Sequence, residues 1–333
     1  MQAAKPSVLV TRAIFPEVLA HLAQHCEVES NQADADWSQA ELVQRLQGKW
    51  GVLTFGLERI DAALLAQCPN LRMCANMTVG FNNFDVPAMR AAGVMGSNAP
   101  DVLTETTADF GFALLLATAR RLTEGEHYLR AGQWQRWQYD LLCGMEVHGT
   151  TLGIIGMGRI GQGIARRAAL GFGMNVIYHN RTALDAGLEA NCRARYVSKA
   201  DLLQCADHVV LALPYTAESH HAVGAAELAL MKPTATLINI ARGGVVDDAA
   251  LVVALREGQI ACAGLDVFEG EPQIHPGLLT LPNVVLTPHI ASATTGTRRA
   301  MTMLAADNLI AFWTQGRART PVYTAQMGGT MAL

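Results

Sequence analysis

The stretch TLGIIGMGRIGQGIARRAALGFGMNVIYHNRT, residues 151–182, constrains the fold more than any other part of the chain. Residues 152–155 are a short apolar run that reads as a buried strand, and Gly156, Gly158 and Gly161 follow in G-x-G-x-x-G spacing. A helical segment over 159–169 and a second apolar run over 176–178 complete a strand–turn–helix–strand unit. That is the length of a mononucleotide-binding half. The three glycines serve different ends. Gly156 permits a tight turn, Gly158 lets the backbone approach a pyrophosphate, and Gly161 lets helix and strand pack closely. The first helical turn, with Arg159 and Ile160, offers free N–H groups to phosphate oxygens. The segment therefore predicts a dinucleotide site.

The end of the second strand bears on which dinucleotide. A site for NAD places Asp or Glu there, on the ribose 2′-hydroxyl. Here the strand runs out as His179-Asn180-Arg181-Thr182, with no acid. Arg181 would attract a 2′-phosphate, and Asn180 and Thr182 could donate hydrogen bonds to it. The expectation is a preference for NADP(H), with NAD(H) possible if Arg181 is only a solvated loop cation.

A length of 333 residues suggests two domains, and 50% hydrophobic with 16% charged residues fits a globular chain with a large core. The net charge of −4 gives no electrostatic case for nucleic acid or an anionic membrane. The start, MQAAKPSVLVTR, does not read as a signal peptide, and no apolar run approaches a bilayer's thickness, so a cytoplasmic protein is expected. Seven scattered cysteines show no C-x-x-C or metal spacing and read as reduced thiols. Adjacent His220 and His221 are expected to point to opposite sides of an extended segment, so no metal site is predicted.

Strand and helix signals alternate from the start. Strands are predicted at 8–10, 52–55 and 71–77, and helices at 16–25, 37–46, 61–67 and 86–92. One long helix, opened by Thr104, is expected over 104–130. Beyond the glycine-rich unit, strands follow at 209–213, 236–240, 261–267 and 284–287, giving six in that part and a doubly wound sheet. A last helix at 295–314 has no sheet of its own left to join, so the chain is expected to cross back. The dinucleotide domain, 104–290, would then be inserted into a substrate domain made of 1–103 and 291–333, with the active site in the cleft between them. The chain closes in a Gly- and Ala-containing tail.

Three later segments carry candidate chemistry. In NIARGGVVD, Arg242 follows a buried strand, where a guanidinium suits bidentate capture of a carboxylate, and Gly243 and Gly244 leave room beside it. In AGLDVFEGEP, Asp266 comes near the end of an apolar strand and needs a partner, which a nicotinamide carboxamide could supply. Glu269 and Glu271 are alternative partners for a catalytic base, and spacing does not choose between them. In LTPHIAS, His289 follows a strand end at the same sheet edge, and a carboxylate beside it would favour its protonated, proton-donating form.

The motifs GMGRIGQGIARR, NIARGGVVDDAAL, AGLDVFEGEP and TPHIASAT, in this order and spacing, resemble the D-isomer-specific 2-hydroxyacid dehydrogenase family over essentially the whole chain. VLTETTADFGFALLLATARR and the missing acid at Asn180 look most like its glyoxylate/hydroxypyruvate reductases, including those that also reduce 2-ketogluconate. The resemblance implies two doubly wound parallel-sheet α/β domains, a Rossmann dinucleotide domain inserted into a flavodoxin-like substrate domain. It implies Glu271 as the catalytic carboxylate, His289 as the acid/base and Arg242 as the substrate-binding arginine. Val79-Gly80 match the backbone anchor of the substrate carboxylate, Asp266 the nicotinamide contact, and Leu213-Pro214 a loop lining the cofactor. Thr104, Ile240 and Ala241 are further cofactor contacts, and Trp137, or else Trp134, matches a Trp that enters the partner subunit's site in a homodimer. Ala291 departs from the commoner H-I-G-[SG] beside the histidine.

The implied reaction is reduction of a small 2-oxo acid to its 2-hydroxy acid. Formate dehydrogenases carry Gln in place of Glu271, and phosphite dehydrogenases need Lys where Val79 stands. NAD-sensing corepressors keep the same triad, but no partner-binding extension is visible here.

Overall fold

The computed structural model describes residues 4–324; the Gly- and Ala-containing tail lies outside them. The chain divides into two compact units, Met1–Leu103 with Thr294–Leu333, and Thr104–Ala293. No helix among the described residues is long and apolar enough to cross a membrane.

The first unit holds β1 (Ser7–Val10), β2 (Glu27–Ser30), β3 (Gly51–Thr54), β4 (Met73–Asn76) and β5 (Met95–Ser97), all parallel in the order β2-β1-β3-β4-β5. This is the flavodoxin-like order. β1, β3 and β4 are the apolar runs legible in sequence. β2 reads Glu-Val-Glu-Ser on an edge, half wetted, and β5 has three residues including a glycine, so neither carries a strand signature. The helix Thr295–Gln315 packs its buried Ala305, Ala306 and Leu309 into this unit's core.

The second unit holds β6 (Thr151–Ile155), β7 (Asn175–His179), β8 (Ala194–Tyr196), β9 (His208–Leu211), β10 (Thr236–Asn239), β11 (Cys262–Leu265) and β12 (Val284–Leu286). Their order is β12-β11-β10-β9-β6-β7-β8, again parallel. The sheet has seven strands rather than the expected six; the extra one, β8, is a polar three-residue edge strand. The chain winds outward from β6 through β7 to β8, then returns to β9 on the other side of β6. The loop after β6 therefore opens at the point where the winding reverses, the place ligands occupy in such sheets.

The helix expected over 104–130 is two helices, Thr104–Ala119 and Leu122–Arg130. Arg121 between them is left-handed at φ 51°, with its guanidinium on Glu124. The Ala119 carbonyl, which a continuous helix would bond to residue 123, instead accepts the Met145 N–H at 2.8 Å. Gly144 lies so close that a Cβ there would meet that oxygen at 2.4 Å. A crossing strand of chain thus ends the helix, which the helical periodicity could not reveal.

Candidate active site

Every predicted motif of the second unit opens at the carboxyl edge of its sheet. After β6, Gly156 is left-handed at φ 100°, and a Cβ there would lie 2.5 Å from the Leu213 nitrogen, so the turn also fixes the Leu213-Pro214 segment after β9. A Cβ on Gly161 would meet the Gly156 carbonyl at 2.4 Å, whereas one on Gly158 would meet nothing within 4 Å. Gly156 and Gly161 are therefore glycines for the chain's own packing. Gly158 caps the helix Arg159–Arg166 beside open space, a cradle suited to a pyrophosphate.

Asn180, just beyond β7, accepts the Met157 N–H on its Oδ1 at 2.7 Å. Its oxygen is thus committed to the glycine loop, and only its NH2 group can turn to a cofactor. Arg181 and Thr182 beside it are exposed.

Asn239, fully buried at the end of β10, shapes the next turn. Its Oδ1 accepts the Ala241 N–H at 3.0 Å and its Nδ2 reaches the Arg242 carbonyl at 3.3 Å. Ile240 and Ala241 are buried, and Arg242 is half-buried with its guanidinium on the Ala241 carbonyl at 2.7 Å. Burial pulls the Arg242 pKa below its usual value, against the nearby charge of Glu271. Gly243 admits no side chain, since a Cβ would stand 1.7 Å from the Phe268 carbonyl oxygen. Sequence reading passed over Asn239, although an Asn closing an apolar strand ahead of Ala-Arg was a usable signal.

Asp266, fully buried after β11, finds its partners in the chain itself. Its carboxylate accepts from the Thr287 hydroxyl at 2.7 Å, the Ile290 N–H at 2.8 Å and the Ala291 N–H at 2.9 Å. Its carbonyl also accepts the His289 N–H at 2.9 Å. Burial pushes its pKa up, and these donors pull back. Asp266 thus clamps the loop that presents His289, a non-glycine residue held left-handed at φ 53°.

His289 Nδ1 lies 2.7 Å from Glu271 Oε2, while Glu271 Oε1 accepts the Phe268 N–H at 2.9 Å. Burial would raise the Glu271 pKa, but its bonds to His289 and Phe268, with the charge of Arg242, hold it below the usual carboxylate range. Glu269 is engaged elsewhere, 3.1 Å from His221 Nε2. His220 and His221 do not point to opposite sides: left-handed backbone at His221, φ 49°, stacks their rings at 3.9 Å. With Glu269 they form a cluster of metal-ligating residue types whose ligand atoms lie within 4.8 Å of one another.

Arg242, Asp266, Glu271 and His289 thus open from three adjacent strands, β10, β11 and β12, while the glycine loop opens from β6 on the same edge. Residues 112–291 match the model of the D-isomer specific 2-hydroxyacid dehydrogenase NAD binding domain. The chain belongs to this family of oxidoreductases. It is 47% identical over 312 residues to the glyoxylate reductase of Thermococcus gammatolerans, covering 92% of this chain and 93% of that one. Among solved structures it resembles the NADPH-dependent glyoxylate/hydroxypyruvate reductase of Sinorhizobium meliloti in complex with NADP and malonate. That match has 39% identity and a TM-score of 0.86, covering 96% of this chain and 97% of the other. The D-mandelate dehydrogenase of Rhodotorula graminis is 27% identical with a TM-score of 0.88, over 96% and 98% of the two chains.

Of the remaining predicted residues, Thr104 begins the second unit's first helix, and Val79 and Gly80 lie in the first unit after β4. Trp137 is 75% exposed, on a segment without regular structure.

Proposed function

We propose that this chain uses NADPH to reduce a small 2-oxo acid, of the glyoxylate and hydroxypyruvate type or 2-ketogluconate, to the D-2-hydroxy acid. The observation that carries this is the Glu271–His289 bond of 2.7 Å. It occupies Nδ1 and leaves Nε2, on a side chain 45% exposed, to deliver a proton. NADPH, when bound at the glycine loop, supplies the hydride that reduces C2. The chain's residues do the rest. Arg242 and the N–H groups of Val79 and Gly80 hold the substrate carboxylate, and Arg242 also polarises the 2-oxo group. Glu271 orients His289 through Nδ1, and His289 passes an Nε2 proton to the developing alkoxide. Asp266 holds the histidine loop in place and is assigned the nicotinamide carboxamide as well, with Leu213-Pro214, Thr104, Ile240 and Ala241 lining the cofactor.

The preference for NADPH rests on Arg181 and Thr182, exposed beside a strand end that has no acid. A homodimer is supported by exposed Leu122, Leu129, Trp134, Trp137 and Tyr139 within one short segment. Trp137 is assigned to the partner subunit's substrate pocket.

Initial rates of NADPH and NADH oxidation with glyoxylate, hydroxypyruvate and 2-ketogluconate test this reading. Fast NADPH oxidation with the small acids is expected. Turnover with NADH alone would move the cofactor preference to NAD and keep the reaction class. No turnover with any of the three would overturn the substrate assignment.

A further inference from the structure

We infer that Asn98 and Asn76 are positioning residues for the substrate carboxylate: they hold backbone carbonyls so that the N–H groups of Gly80 and Phe81, next to that of Val79, face the anion. This rests on the reading above that the Val79-Gly80 turn binds the carboxylate. The turn leaves β4 just beyond Asn76, and β4 pairs with β5, which ends one residue before Asn98. Three successive carbonyls of the turn are held. That of Thr78 accepts the Ala99 N–H at 2.9 Å, and that of Val79 accepts Asn98 Nδ2 at 2.7 Å. That of Gly80 accepts both the Thr78 hydroxyl at 2.7 Å and Asn76 Nδ2 at 3.1 Å. The peptide links of the turn are trans. In a trans peptide the C=O and the following N–H point in opposite directions. Holding these three carbonyls therefore turns the N–H groups of Val79, Gly80 and Phe81 away from the groups that hold them. A row of such N–H groups is an anion-binding surface that needs no charged side chain.

The two asparagines are themselves fixed. Asn76 is fully buried, with Oδ1 taking the Thr54 hydroxyl and Nδ2 also reaching Asn83 Oδ1 at 2.8 Å. The Asn98 N–H donates to the Thr320 carbonyl at 3.2 Å, and its carbonyl accepts the Thr320 hydroxyl at 2.6 Å. Thr320 is in turn held by fully buried Asn308, at 2.9 and 2.8 Å. A hydrogen-bonded chain thus runs from the helix Thr295–Gln315 through Thr320 and Asn98 to the anchor turn. It gives the returning C-terminal segment a role beyond packing.

The test compares Asn98→Ser, which removes the Nδ2 donor without adding charge, with Gly80→Pro, which deletes an N–H outright. Asn98→Ala is kept in reserve in case the Ser variant does not fold. For Asn98→Ser we expect the glyoxylate KM and the inhibition constant of oxamate to rise about tenfold. The kcat should change less than about threefold and the NADPH KM should stay put. Gly80→Pro should raise the glyoxylate KM at least as much. If Gly80→Pro leaves that KM unchanged, the anchor reading itself is wrong, and the inference falls with it. If Gly80→Pro raises it while the Asn98 variants lose only thermal stability, the anchor stands and the positioning role is overturned.

Discussion

The turn after β4 in the first unit and the carboxyl edge of the second unit's sheet are built in different chemical styles. At the carboxyl edge of the second unit's sheet, the chain places ionisable groups and satisfies each one: Asp266 by three donors, Glu271 by His289 and a backbone N–H, and Arg242 by a carbonyl. At the corresponding edge of the first unit, the turn after β4 is set by neutral amides. Asn76, Asn83 and Asn98 each donate to a carbonyl, and Asn76 and Asn83 bond to each other. The charged groups of that edge are engaged elsewhere: Glu58 accepts the Thr11 hydroxyl and two backbone N–H groups, and Arg12 pairs with Asp34 and Asp36. On the function proposed above, the contrast follows from what each edge would do. Moving a proton needs titratable groups, and titratable groups near burial need partners. Holding an anion without discharging it needs only aimed N–H groups, which asparagines can set without adding charge.

The most direct way to break this contrast is at His289. His289→Ala should cut kcat by about 10³-fold or more, within the range general acid catalysis supplies, while NADPH still binds by fluorescence titration. Loss of NADPH binding by a folded variant would mean the histidine loop serves the cofactor rather than the proton. Glu271→Gln should cost about 10²-fold in kcat, because it keeps the shape and removes the negative charge that faces His289 Nδ1. It also has a stability signature. The folded pKa of Glu271 is lowered, so its contribution is full above the ordinary carboxylate range and is lost as pH falls through the folded value. The wild type should therefore melt above Glu271→Gln near pH 7, and the gap should close in acid. A gap independent of pH would show that the carboxylate's charge contributes nothing to the fold.

This chemistry was legible to different degrees. The glycine spacing marked the loop because Gly156 and Gly161 are forced by backbone contacts that leave a sequence trace. Arg242, Asp266 and His289 stood out because a polar residue closing an apolar strand has few structural excuses. The choice between Glu269 and Glu271 was not readable from spacing, because it depends on how residues 268–272 turn; in space Glu269 meets His221 and Glu271 meets His289. The stacking of His220 on His221 was misjudged because one left-handed residue undoes the alternation of an extended chain. β2 and β8 escaped because short edge strands with exposed polar residues lack a hydrophobic period, and β5 because three residues, one a glycine, carry none. The partners of Asn98 were hidden for another reason: Thr320 is 222 residues away, and no local pattern reports a contact of that separation.

Smaller effects sharpen the same comparison. Arg181→Ala should raise the NADPH KM about tenfold and leave the NADH KM within about twofold, since only NADPH carries the 2′-phosphate. Parallel changes in both would refute a phosphate contact. The smallest effect is expected at Glu269, two residues from Glu271 in sequence. Its partner is His221, whose N–H donates to the Gly244 carbonyl at 2.7 Å, so the pair braces the far side of the arginine turn rather than the proton path. That turn is already fixed by Asn239 and by the fit of Gly243 against the Phe268 carbonyl, and an exposed hydrogen-bonded pair adds little to a turn so constrained. Glu269→Gln should then leave kcat within about twofold across the pH profile. A loss matching that of Glu271→Gln would instead mean that Glu269 also acts on His289, and the division of labour along this edge would have to be redrawn.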